Sequence, residues 1–97
     1  MDRKVCIVTG ASRGMGRGIA LVLAKEEGCR VYATARDKEA LEALADEVSE
    51  TSVNGGVIPY VLDQNDDQAT QTFVKEVARK ENKIDLSIMD ETIRNIN

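Results

Sequence analysis

Thr9-Gly10-Ala11-Ser12-Arg13-Gly14-Met15-Gly16 follows directly on the apolar run Val5-Cys6-Ile7-Val8 and leads into a stretch with helical apolar spacing. Glycines at 10, 14 and 16 let the backbone turn sharply and approach a ligand closely, because they lack a Cβ and accept left-handed dihedrals. The helix that opens behind the turn has first-turn amides with no internal partner, and its dipole favours negative charge there. Strand, glycine turn and helix N-terminus, in that order, make an anion-binding arrangement that needs almost no side chain.

On either side of the turn the pattern repeats. Residues 5–8 are continuously apolar, as in a parallel strand covered on both faces. Apolar residues at 15, 19, 20, 22, 23 and 24 predict a helix over 15–27, closed by Gly28 in a left-handed cap. Residues 31–35 read as a second strand. Asp37 is placed to cap a second helix, on which Leu41, Leu44, Ala45 and Val48 form one buried stripe. Residues 49–56 read as a polar loop and 57–62 as a third strand, where Pro59, unable to donate to a ladder, argues for an edge. Asn65, Asp66 or Asp67 can cap a third helix carrying Ala69, Phe73, Val74, Val77 and Ala78. Residues 84–89 read as a fourth strand with Ser87 as a polar guest, and 90–97 as a polar tail.

This alternation predicts an α/β fold, a partial doubly wound parallel sheet of about four strands and three helices in the order 3-2-1-4, with one domain over 1–89. Right-handed crossovers put the first two helices on one face and the third on the other. A helix is about 10 Å wide and four strands span roughly 19 Å, so the third helix should cover about half of its face. The fourth strand is expected to keep an open edge, a surface for self- or hetero-association.

Composition removes several classes of function. With 13 Lys and Arg against 17 Asp and Glu, the net charge of −4 offers no basic face to nucleic acid. There is no His, so a Ser-His-Asp triad is excluded, and with two Cys a zinc site is not expected. Cys6 and Cys29 read as buried reduced thiols. No apolar run approaches the roughly 20 residues of a membrane span. The residues before the first strand are too few and too polar for a signal peptide, so a cytoplasmic or otherwise intracellular setting is expected.

Three readings of the glycines remain: a tight connection only, a Walker-type phosphate loop, or a site for a dinucleotide or adenosyl ligand. The Walker loop requires Gly-Lys-Ser/Thr, and Arg17-Gly18 stands where that would fall. The form T-G-x-x-x-G-x-G resembles the cofactor turn of the short-chain dehydrogenase/reductase superfamily. The likeness continues through Arg17-Gly18-Ile19-Ala20, Ala35-Arg36-Asp37, Leu62-Asp63 and Ile84-Asp85-Leu86, thus to about residue 86. It implies an NAD(P)-binding Rossmann-like fold. It also implies that Thr9 braces the turn, Gly10 makes it, Gly14 allows close approach and Gly16 packs helix on strand. Amides near Met15 would face the pyrophosphate, and Leu62-Asp63 would adjoin the adenine.

The choice of nicotinamide cofactor has a physical basis. An NAD site places a carboxylate about 20 residues past the glycines for the ribose 2′-hydroxyl. Here Ala35 and Arg36 end the second strand, and Arg36 can grip a 2′-phosphate with its planar fork. Arg13 adds charge within the turn and Ser12 a donor, so NADP(H) is expected over NAD(H). Asp37, so near, opposes this unless it is engaged as a helix cap.

The same resemblance implies hydride transfer by Ser, Tyr and Lys in Y-x-x-x-K spacing, and an Asn-Asn-Ala-Gly segment after the fourth strand. Here Tyr32 and Tyr60 are followed four residues later by Arg36 and Gln64, and Met89-Asp90-Glu91-Thr92 stands in place of the Asn-rich segment. No catalytic residue is therefore assigned. The expectation is an NADP(H)-binding N-terminal half of an oxidoreductase, without activity of its own. A non-catalytic fragment that pairs with a full-length relative through its sheet edge is the alternative.

Overall fold

The computed structural model describes residues 4–12, 14–51, 56–63, 66–89 and 92–94. The chain runs β1 (Val5–Thr9), α1 (Gly14–Leu21), a π turn (Val22–Glu26), β2 (Arg30–Ala35), α2 (Lys38–Thr51), β3 (Gly56–Val61), α3 (Asp67–Glu81), β4 (Leu86–Met89) and β5 (Thr92–Arg94). The sheet order is β3-β2-β1-β4-β5. Its first four strands are parallel, in the order 3-2-1-4 that the alternation predicts.

The pleat sorts the core into two layers. Cys6 and Val8 of β1 lie beside Val31, Ala33 and Ala35 of β2 and pack against Ala20, Ala24, Leu41, Leu44 and Val48 from α1, the π turn and α2. The alternate residues Val5, Ile7 and Tyr32 face the other way, onto Phe73 and Val77 of α3 with Leu62 and Ile84. The first two helices thus share one face and α3 takes the other, as right-handed crossovers require. At both ends of the chain's middle section the caps are those expected: Gly28 has φ 67° and the Asp37 carboxylate accepts from the amide of Ala40 at 3.1 Å. Of the three candidates for the third helix, Asp66 is the cap, accepting from Ala69 N–H at 3.0 Å.

Several expectations need correction. The first helix is α-helical only to Leu21 and then widens, with Glu27 N–H donating to the Val22 carbonyl at 3.2 Å. The wider turn leaves Ala24 buried but turns Val22 out, and Met15 is exposed too, so two of six apolar positions miss the core. The second helix continues through 49–51, where a loop was expected; Ser49 is exposed, and a polar residue at a helix end needs no burial. The remainder of that loop, 52–55, lies outside the described residues. The fourth strand starts at Leu86, and Ser87 is fully buried on the α3 side, so the face is closed there.

The largest correction concerns the edges. The fourth strand is not an edge: Thr92–Arg94, within the expected polar tail, pairs antiparallel with it in the register Ser87↔Arg94, Ile88↔Ile93 and Met89↔Thr92. The β3 edge is blunted by another means. Gly56 donates to Cys29 and Leu62 to Ala35, so even-numbered amides face β2 and Pro59 sits at an outward-facing position. The donor that proline lacks is one a neighbouring sheet would have used.

Asp85 fastens β4 to the start of β1. Its carboxylate accepts from Val5 N–H at 2.7 Å while its own amide donates to the Val5 carbonyl at 2.8 Å. That main-chain bond, helped by Lys83 at 3.3 Å, holds its carboxyl below the usual carboxylate range. A depressed folded pKa stabilises fully above the unfolded value and is lost as pH falls through the folded one. Asp85→Asn is therefore expected to weaken the loss of stability below about pH 4. Urea unfolding at neutral pH and at pH about 3 checks this; equal acid sensitivity in both proteins would contradict it.

Candidate functional site

Parallel strands bring the carboxyl ends of β1, β2 and β3 to one side of the sheet, and each is followed there by a residue the sequence singles out. The glycine turn leaves β1, Arg36 follows β2, and Leu62-Asp63 follow β3. This crevice at the strand ends is where ligands bind in open α/β sheets.

The turn is held by main-chain bonds. Ala11 N–H donates to the Thr34 carbonyl at 3.0 Å, tying the turn to β2. Thr9 is buried, and its hydroxyl reaches the Ile88 carbonyl of β4 at 3.4 Å, which fits a bracing role. Gly10 and Gly14 have φ of 66° and 63°, where a side chain would be strained. A Cβ on Gly14 would meet nothing within 4 Å, so the surface above it is open to a close-approaching group. At Gly16 the reverse holds: a Cβ would lie 2.3 Å from the Gly10 carbonyl oxygen. One glycine therefore leaves room for a ligand, and the other lets helix and strand touch.

Those two environments give opposite mutational outcomes. Gly16→Ala should cost about 1–3 kcal/mol or more, since backbone must move to admit the methyl group. Gly18→Ala, with open space around it in α1, should stabilise by roughly 0.5–1 kcal/mol. Denaturant midpoints of the two variants check this, and a shift in the same direction for both would contradict it.

The side chains around the crevice divide by what already engages them. Met15 is exposed at the opening of α1 and Ser12 is half-buried in the turn, while Arg13 lies outside the described residues. Arg36 is exposed and makes no ion pair among the described residues. Asp37 beside it is committed to the α2 N-terminus through Ala40. Leu62 is buried and donates its amide to the Ala35 carbonyl at 2.9 Å, which sets the exposed Asp63 at the mouth. Because Asp66 caps α3, that duty does not fall to Asp63.

Arg17, just past the turn, is directed elsewhere. Its guanidinium bonds Glu47 of α2, and Lys25 approaches the same carboxylate at 3.7 Å. The Arg17 bond holds the Glu47 carboxyl below its ordinary range. This clasp between α1 and α2 had no sequence signal, because its members lie 30 residues apart.

Both tyrosines pack against α3. Tyr32 is buried, with its ring edge-on to Phe73 at 6.3 Å and its hydroxyl donating to Glu81, which Arg30 also holds at 2.9 Å. Burial first, then the Glu81 bond, pushes the Tyr32 hydroxyl up from its ordinary value. Tyr60 stacks at a tilt on Phe73 at 4.5 Å. Both are packing residues, as their strand positions suggest. The thiols are free and buried, and burial together with neighbouring Cys29 pushes Cys6 up to about 12. No helix among the described residues is long and apolar enough to cross a membrane.

Comparison with known proteins agrees with this geometry. The family model described as short chain dehydrogenase matches residues 4–91. The human dehydrogenase/reductase SDR family member 1 is 41% identical over 81 residues, which are 84% of this chain and 25% of that protein. A metagenomic short-chain oxidoreductase solved in complex with NADP superposes with a TM-score of 0.78 at 34% identity, over 87% of this chain and 37% of that one. NAD+-bound xylitol dehydrogenase gives 0.75 at 37% identity, over 87% and 31%. The chain thus spans about a quarter to a third of the relatives it matches.

Proposed function

From the premise that this chain belongs to the short-chain dehydrogenase family, we propose that it is the cofactor-binding part of an NADP(H)-dependent oxidoreductase. The whole protein would move hydride between NADPH and a carbonyl or alcohol. The observation that supports the cofactor preference most is an exposed Arg36, with no ion pair among the described residues, beside an Asp37 already used as a helix cap. A 2′-phosphate there would meet a guanidinium and not a free carboxylate.

The residues present fit a dinucleotide. The open space over Gly14 admits the pyrophosphate, and amides at the start of α1 donate to it. Thr9 and the bond from Ala11 to Thr34 keep those amides aimed before any ligand arrives. Leu62 and Asp63 border the adenine, with Asp63 accepting from its exocyclic amine. Ser12 and Arg13 complete the phosphate side. The dinucleotide, when bound, supplies the hydride.

We assign no catalytic residue to this chain and place it in an intracellular setting. The chain with NADPH and a panel of small aldehydes and ketones is expected to oxidise no cofactor above blank, while NADPH raises its melting temperature by mass action. Turnover abolished by Arg36→Ala would overturn the first part. No change in melting with NADPH would overturn the second. Pairing with a full-length relative through β4 would first have to displace β5.

A further inference from the structure

A sulfur atom stands at the mouth of the crevice. Met15, in the first turn of α1, is 59% exposed, more than any other large apolar side chain among the described residues. Cα–Cβ bonds in a helix tilt toward its N-terminus, so a side chain covers the turn that precedes its own Cα. The Met15 thioether is thereby carried back toward the glycine turn, where a Cβ on Gly14 would meet nothing within 4 Å.

The thiols are shut away from the same surface. Cys6 and Cys29 are free but only 2% exposed, and burial raises Cys6 so that little thiolate forms. Met1 and the Met89 side chain lie outside the described residues. A thioether needs no deprotonation to react, so its exposure decides. Access follows from the site itself, because a mouth that admits a dinucleotide also admits a peroxide.

We propose that Met15 is a site of reversible oxidation by hydroperoxides, and that its oxidation state sets how tightly the turn holds a dinucleotide. This rests on the NADP(H) site proposed for the same turn. The sulfur lone pair attacks one peroxide oxygen, and an S–O bond forms as the O–O bond breaks. Sulfur loses two electrons, and the departing hydroxide takes the proton of the transferred oxygen and leaves as water. A dithiol, through a sulfoxide reductase, restores the thioether, the oxygen leaving as water and the dithiol ending as a disulfide. The sulfoxide oxygen is partly negative and accepts hydrogen bonds. Beside the unpaired amides that open α1, it competes with the pyrophosphate for their protons.

Hydrogen peroxide treatment of the full chain, read by peptide mass spectrometry and by calorimetric titration with NADPH before and after, tests this. Met15 should gain an oxygen, more slowly with NADP+ bound. NADPH affinity should then fall by about tenfold or more, the equivalent of one charge-assisted bond. Sulfoxide reductases with dithiothreitol should restore it. Met15→Leu, whatever its starting affinity, should lose none of it to peroxide. Met15 left intact by peroxide that converts free methionine overturns the proposal, as does an oxidised Met15 with NADPH affinity unchanged. An equal loss in peroxide-treated Met15→Leu overturns it too. An untreated chain that binds no NADPH overturns the cofactor reading itself, and this inference with it.

Discussion

Phe73→Ala is expected to be the most damaging single truncation in the chain, costing about 3–5 kcal/mol. A domain of this size has about 5–15 kcal/mol in all, so the variant should melt with little cooperativity or not at all. The reason is architectural. Among the described residues α3 supplies the helical cover for its face of the sheet, and Phe73 is the residue on it that touches Tyr32 at the centre and Tyr60 at the edge. Losing that ring opens a cavity beneath α3, where the described residues hold no second helix to close over it. The loop that holds Leu62 and Asp63 precedes α3, so cofactor binding should fall along with stability. Urea unfolding measured by circular dichroism checks the size of the loss. A cost below about 1 kcal/mol would mean that α3 contributes little to the fold, since ordinary surface changes fall within half of that.

Arg36→Glu is expected to have the largest effect on ligand choice. The change would remove the charge-assisted bond proposed for the 2′-phosphate, typically about 1.5–3 kcal/mol, and add repulsion. NADPH affinity should fall by roughly ten- to a hundredfold or more. The new carboxylate stands where NAD sites keep one for the ribose hydroxyls, so NADH binding should hold or improve. Stability should change little, because Arg36 is exposed and unpaired among the described residues. Equal losses for both cofactors would show instead that Arg36 acts on the shape of the loop and not on the phosphate.

The parts of the fold legible in the sequence are those where one residue type has one physical use. Gly16 could be read as a contact glycine, and the 2.3 Å approach to Gly10 shows why nothing larger fits. Pro59 marked an edge, and β3 is one. Asp37 and Gly28 marked helix ends where the structure has them. What was illegible depends on partners distant in sequence or on backbone detail without a side-chain code. The π turn at Val22–Glu26 reads like any helix. The Arg17–Glu47 clasp joins two helices whose relative placement is set only by packing. β5, Thr-Ile-Arg, is too short a run to be read as a strand from sequence without the β4 it pairs with. The glycine turn was legible in the sequence, while the Ala11–Thr34 bond that steadies it involves main chain alone.

Calorimetric titration of this chain with NADPH and, separately, with NADH tests the central claim most directly. An anion cradle of main-chain amides with Arg36 at its rim predicts saturable NADPH binding, tighter than NADH by about tenfold or more, or about 1.4 kcal/mol. No heat with either dinucleotide, or equal affinity for the two, would contradict it.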